Sequence, residues 1–74
     1  MYVAIKIHNN SLSKIVQAYD GAQAKYIIRN WAELQFEREL NDNEIYDLDK
    51  DLKIFNDDDP DNIYSFTIAI AETI

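Results

Sequence analysis

Cysteine is absent, and glycine, proline and histidine occur once each. Without cysteine there is no disulfide staple, no thiolate metal site and no thiol nucleophile. A single glycine, Gly21, cannot build a glycine-rich loop that cradles phosphate. The lone histidine, His8, would have to serve any Ser-based triad through Ser11, Ser13 or Ser65, none of which has a second partner in the sequence. It stands at a strand end beside turn residues and reads as a solvated edge residue. Positive charge is scarce as well, with 7 Lys and Arg against 14 Asp and Glu and a net charge of −7. Phosphates repel such a chain, which disfavours direct binding of nucleic acid or anionic lipid and favours a basic protein partner. No apolar run approaches the roughly 20 residues of a membrane helix, and the opening Met1-Tyr2-Val3-Ala4 carries no basic leader region. The expectation is a cytoplasmic protein with no membrane association.

What remains is 74 residues, 47% of them hydrophobic, including Trp31, three phenylalanines and five tyrosines. That content suits one folded domain over residues 1–74, at a size where only about 60% of the unfolded chain's surface is buried. The charge is unevenly spread. Between Glu37 and Asp61 stand eleven acids against Arg38, Lys50 and Lys53, a local charge of −8 that leaves the rest of the chain at +1.

Residues 2–8 alternate, with Val3, Ile5 and Ile7 on one face and Tyr2, Ala4, Lys6 and His8 on the other, as in a half-buried strand. Turn formers follow at 8–13 and a β-prone run at 14–19, which together predict a hairpin, although the adjacent Ile15 and Val16 leave its register open. At Asp20 the period changes. Asp20 suits an N-cap with Gln23 as its capping-box partner, and a helix is expected from about Gly21 to Leu40. Ala24, Ile27, Ile28, Trp31 and Leu34 form the stripe expected to meet the sheet. A second ridge, Ile28, Ala32, Phe36 and Leu40, drifts round the helix, so Phe36 and Leu40 need other cover: either the acidic segment that follows, or a second subunit.

Residues 41–51 can be read two ways. As a helix, Asn41 caps and Glu44 completes a capping box; as a strand, Tyr46, Leu48, Leu52 and Ile54 alternate with charged residues. Asp is disfavoured in strands and favoured near helix starts, so a short helix over 42–49 is preferred, then a strand over 52–56. The run 56–62, NDDDPDN, is the strongest turn signal. Residues 63–72 form the clearest strand, with Tyr64, Phe66, Ile68 and Ile70 on one face, expected centrally beside the first. The fold class is therefore α+β: a small antiparallel sheet of about four strands, ordered β-β-α-(α)-β-β, against one long helix.

Hard oxygen ligands raise the question of calcium. Asp47, Asp49, Asp51 and Asp58 fall at positions 1, 3, 5 and 12 of an EF-hand loop, but Leu52 stands where the loop needs glycine and Asp58 is shorter than the usual Glu. No metal or other cofactor is expected, and no catalytic residues are assigned.

In small size, acidity and the lack of a catalytic motif the chain resembles the inhibitors encoded by phages and mobile elements, including anti-CRISPR proteins and DNA mimics. The resemblance implies a non-enzymatic protein that occupies the basic surface of a nuclease or other nucleic-acid-binding complex. Asp42, Glu44, Asp47, Asp49, Asp51, Asp57, Asp58, Asp59 and Asp61 are the candidate contacts to Arg and Lys of the partner. Carboxylates on alternate strand residues would stand roughly 6.6 Å apart, the same order as the advance of about 3.4 Å per phosphate along a duplex strand. The alternative is a structural or regulatory homo-oligomer, with Phe36 and Leu40 at a two-fold interface and the acids serving only solubility.

Overall fold

The computed structural model describes residues 1–70. Strands β1 (Tyr2–His8) and β2 (Ser11–Ala18) are followed by helices α1 (Gly21–Phe36) and α2 (Asp42–Asp51), then by strands β3 (Lys53–Asp59) and β4 (Asn62–Ile70). The strands form one antiparallel sheet in the order β2-β1-β4-β3. This is the expected α+β arrangement in the order β-β-α-α-β-β, with the bracketed second helix present and the first shorter than expected. β4 is central and lies beside β1; the part of its expected span at residues 71–72 falls outside the described residues.

The first hairpin turns through Asn9 and Asn10, both at positive φ (49° and 66°). Two such residues between paired His8 and Ser11 make the type I′ geometry that matches strand twist, and Asn tolerates it better than most side chains. The ladder then shifts: Lys6 pairs with Lys14, but Ile7 pairs with Leu12. Ser13 is the extra residue of a β-bulge. The bulge puts Leu12 and Ile15, three positions apart, on one face and sends Val16 to the other, which settles the register that alternation left open.

Asp20 caps α1, its Oδ1 accepting the Gln23 backbone N–H at 2.8 Å. The Gln23 side chain accepts from the backbone N–H of Tyr19, one residue before the cap. The helix ends four residues earlier than the periodicity suggested. Glu37 adopts the left-handed conformation (φ 56°, ψ 36°), and the backbone N–H of Arg38 bonds back to the Glu33 carbonyl at 3.3 Å. The Glu33 carboxylate also accepts the Leu40 N–H at 3.0 Å, folding the connection back over the helix end. Leu40 is thereby delivered into the core at 6% exposure.

The face of α1 that meets the sheet is set by steps of four. Ala24, Ile28 and Ala32 are buried, and Phe36 packs against the core, whereas Leu34, assigned to the inner stripe, is 77% exposed. The stripe is thus rotated towards the ridge of Ile28, Ala32 and Phe36. Small Ala24 and Ala32 let the helix settle close to Ala4 and Ala18, while Phe66 and Ile68 from β4 fill the remaining volume. Because Ala4 pairs with Ile68, and Ile54 with Phe66, every buried strand residue in these ladders lies on one face of the sheet. Both helices cover that face, with Leu48 of α2 and Ile54 of β3 in the same core. In β1 the covered face carries Ala4; Val3, Ile5 and Ile7 point the other way.

Candidate functional site

Helix α2 forms as its start signals dictate. Asn41 Oδ1 accepts the Glu44 N–H at 2.8 Å, and Glu44 Oε1 accepts the Asn41 N–H at 3.0 Å, a complete capping box. Leu52, at φ 56°, ends the helix in the left-handed region. The strand reading of 41–51 is excluded, and so is the EF-hand loop: Asp47, Asp49 and Asp51 sit on a helix, where residues two apart do not face each other. Among the described residues no cluster of acids or histidine could hold a metal ion.

The predicted turn at 56–62 is mostly strand. β3 runs to Asp59, and only Pro60 and Asp61 turn. Pairing shifts between Asn56 and Asp59, so Asp57 and Asp58 sit in an irregular stretch rather than in an alternating ladder. Neither acidic group therefore has the strand spacing from which a phosphate-like repeat was reckoned. Asp59 belongs to the turn itself: its Oδ1 accepts the Asp61 N–H at 2.9 Å, and its Oδ2 accepts from the Asn62 side chain at 3.1 Å. These bonds, the Asn62 one first, hold its carboxyl below the ordinary carboxylate range.

The two hairpin ends are stapled together. Asn9 Oδ1 accepts the Ile63 N–H at 2.8 Å, its amide donates to the Asp61 carbonyl at 2.9 Å, and its backbone N–H donates to the Ile63 carbonyl at 2.9 Å. His8 shares this end. It is half-buried on an inner strand, Nε2 lies 2.9 Å from Asn62 Oδ1, and the ring stacks on Tyr64 at 4.6 Å. It is a structural contact of the sheet, and the reading of His8 as a solvated edge residue does not hold.

Arg38 joins the two acidic elements. Its guanidinium donates to both Glu44 oxygens, at 2.6 and 3.1 Å, and to the Glu39 carbonyl at 3.1 Å. The hydrogen bonds it donates to Glu44 raise the Arg38 pKa, and the negative charge of Asp58 in the hairpin adds to the effect. In return the Arg38 bonds hold Glu44 below its ordinary value, against an opposing effect of burial. Arg38 had no assigned role. The available signal was its position as a lone cation between Glu37 and Glu39, six residues before a capping-box glutamate.

The nine candidate acids thus differ. Glu44 is committed to Arg38 and the cap, Asp59 to its turn, and Asp49 to Lys25 at 3.4 Å. Asp58 receives a long 3.4 Å contact from the Asn56 amide. Asp42, Asp47, Asp51, Asp57 and Asp61 are exposed, with no side-chain hydrogen bond or ion pair among the described residues. Phe36 and Leu40 do not form an open apolar face. Leu40 is buried within the chain, and Phe36 packs edge-on against Phe66 at 5.8 Å and Tyr64 at 6.4 Å. No helix among the described residues is long and apolar enough to cross a membrane. Compared with known protein families, curated proteins and solved structures, the chain matches none.

Proposed function

We propose that this protein is a small non-enzymatic binding protein whose acidic rim, formed by α2 and the β3–β4 hairpin, occupies the basic nucleic-acid site of a partner, as phage and mobile-element inhibitors of the anti-CRISPR or DNA-mimic kind do. The observation that carries the reading is the set of exposed carboxylates Asp42, Asp47, Asp51, Asp57 and Asp61, which have no side-chain hydrogen bond or ion pair among the described residues and lie on α2 and the β3–β4 hairpin. Carboxylates used only for turns, caps and internal pairs would not leave five without partners on one segment. Their crowding also brings self-repulsion, which an evenly spread charge would avoid.

Affinity capture from a host lysate at low salt, followed by a salt gradient, tests this. The expected partner is a basic nucleic-acid-binding protein that elutes as salt rises, is displaced by duplex DNA, and is not retained by a chain carrying Asp42→Asn, Asp47→Asn, Asp51→Asn, Asp57→Asn and Asp61→Asn. Equal retention by the neutralised chain would overturn the reading.

A further inference from the structure

Both helices lie on one side of the sheet, and the opposite side is bare. Ladder registers arrange it in three cross-sheet rows: Leu12, Ile7, Ser65 and Phe55; then Ile15, Ile5, Thr67 and Lys53; then Gln17, Val3 and Ala69. Leu12, Ile15 and Phe55 are 63%, 58% and 56% exposed. The molecule's shortest dimension is 18 Å, about what one sheet and one helix layer occupy, with no third layer.

The chemistry of these rows is unlike that of the rest of the surface. They hold one charge, Lys53, and no carboxylate, in a chain of net charge −7. The described acids belong to the helices, their connections, β3 beyond Asn56, and the β3–β4 turn. Any contact between two copies through the helix layer would set acid against acid. Contact through the bare sheet face would leave the two helix layers on opposite outer surfaces. With sheets about 10 Å apart and each helix layer roughly another 10 Å out, the acids on the outer side of the helices stand on the order of 30 Å apart in the two copies. That is well beyond the Debye length of about 8 Å at physiological salt. Asp47 and Asp51, which line a depression with Lys53 and Phe55, stand instead at the edge of the face beside the Lys53 ammonium.

Area points the same way. Four strands at about 4.8 Å spacing and seven residues at about 3.3 Å rise give a face on the order of 450 Å² in projection. Two such faces, with the relief of their side chains, reach the roughly 1,000 Å² expected of a specific interface. A patch of this size is at the upper end of what monomers leave exposed.

We infer that the bare sheet face is the contact surface for a second copy of this chain, giving a two-fold, sheet-on-sheet dimer with the helix layers on its outer sides. The central anchors are Ile5, Ile7 and Ile15, with Leu12 and Phe55 flanking them. The inference is independent of the proposed partner, because it concerns the purified chain alone.

Sedimentation equilibrium over a range of protein concentrations at physiological salt reads it directly. The expected mass is 17.4 kDa, twice the 8.7 kDa of one chain. Ile15→Lys and Phe55→Lys, both at exposed positions that need not disturb the core, should each return the mass to 8.7 kDa with an unchanged circular dichroism spectrum. Leu34→Lys on the exposed side of α1 should leave the dimer intact. A monomer at every concentration, as expected if a different protein covers this face, would overturn the inference. So would a dimer that survives both sheet-face substitutions.

Discussion

Leu40 shows how one residue can be assigned by its surroundings rather than by its own helix. Glu33 bends the chain after α1 so that Leu40 enters the core with Leu48, and its burial makes it a stability residue of the single chain. Leu40→Ala should lower unfolding free energy by about 2–5 kcal/mol, a large part of what a small domain has. In urea titrations the difference from the parent chain should not vary with protein concentration, as it would for an interface residue. Glu44 yields a pH signature at the same scale. Its folded pKa is depressed, chiefly by Arg38, so its stabilisation is fully present above the unfolded value near 4.5 and is lost as pH falls through the folded value. Urea midpoints for Glu44→Gln should therefore lie below the parent's at pH 7 and converge on it under acid; a constant offset down to pH 3 would contradict the pairing.

Among the elements, the helix ends carry the clearest consequence. Glu37 is exposed and held at φ 56°, where a residue with a Cβ is disfavoured. Glu37→Gly should stabilise the chain by about 0.5–1 kcal/mol, raising the thermal midpoint by several degrees. A decrease would mean that the Glu37 side chain contributes more than its backbone strain costs. Leu52 has the same dihedrals, but there the side chain is partly buried against the core, so the same substitution removes packing as well. Start signals such as Asp20, Asn41 and Glu44 were legible because a cap depends on residues within four positions. The end of α1 was not, because no glycine marks it and the turn is made by the Glu33 side chain reaching Leu40.

At the scale of the whole molecule, charge and shape act together. The chain carries −7, with three surface ion pairs among the described residues, Lys25–Asp49, Arg29–Glu33 and Arg38–Glu44. Exposed pairs contribute about 0–1 kcal/mol each and weaken with salt, as does the repulsion among the unpaired acids. The repulsion outnumbers the pairs, so urea midpoints at pH 7 should rise as NaCl increases from about 10 to 500 mM, over which the Debye length falls from roughly 30 Å to under 5 Å. A falling midpoint would show the ion pairs to dominate. The same segregation of charge gives the protein two unlike sides, an acidic helical one and a nearly uncharged sheet face.

By itself the sequence determined the order and type of the elements: alternation marked β1 and β4, the capping box marked α2, and the acidic density of 37–61 was plain from composition. These are local properties, set by neighbours along the chain. Which face of β1 is buried, and how far α1 is rotated about its axis, was decided only by the tertiary structure. Alternation in β1 defines two faces without ranking them, and Val3, Ile5 and Ile7 look like the inner one. With Phe66 and Ile68 of the adjacent strand already filling the space under α1, β1 supplies the small Ala4 there with Tyr2 packed at the margin, and Val3, Ile5 and Ile7 were turned to the uncovered side. The volume available beneath a helix is shared among strands distant in sequence, and no window of one strand contains it.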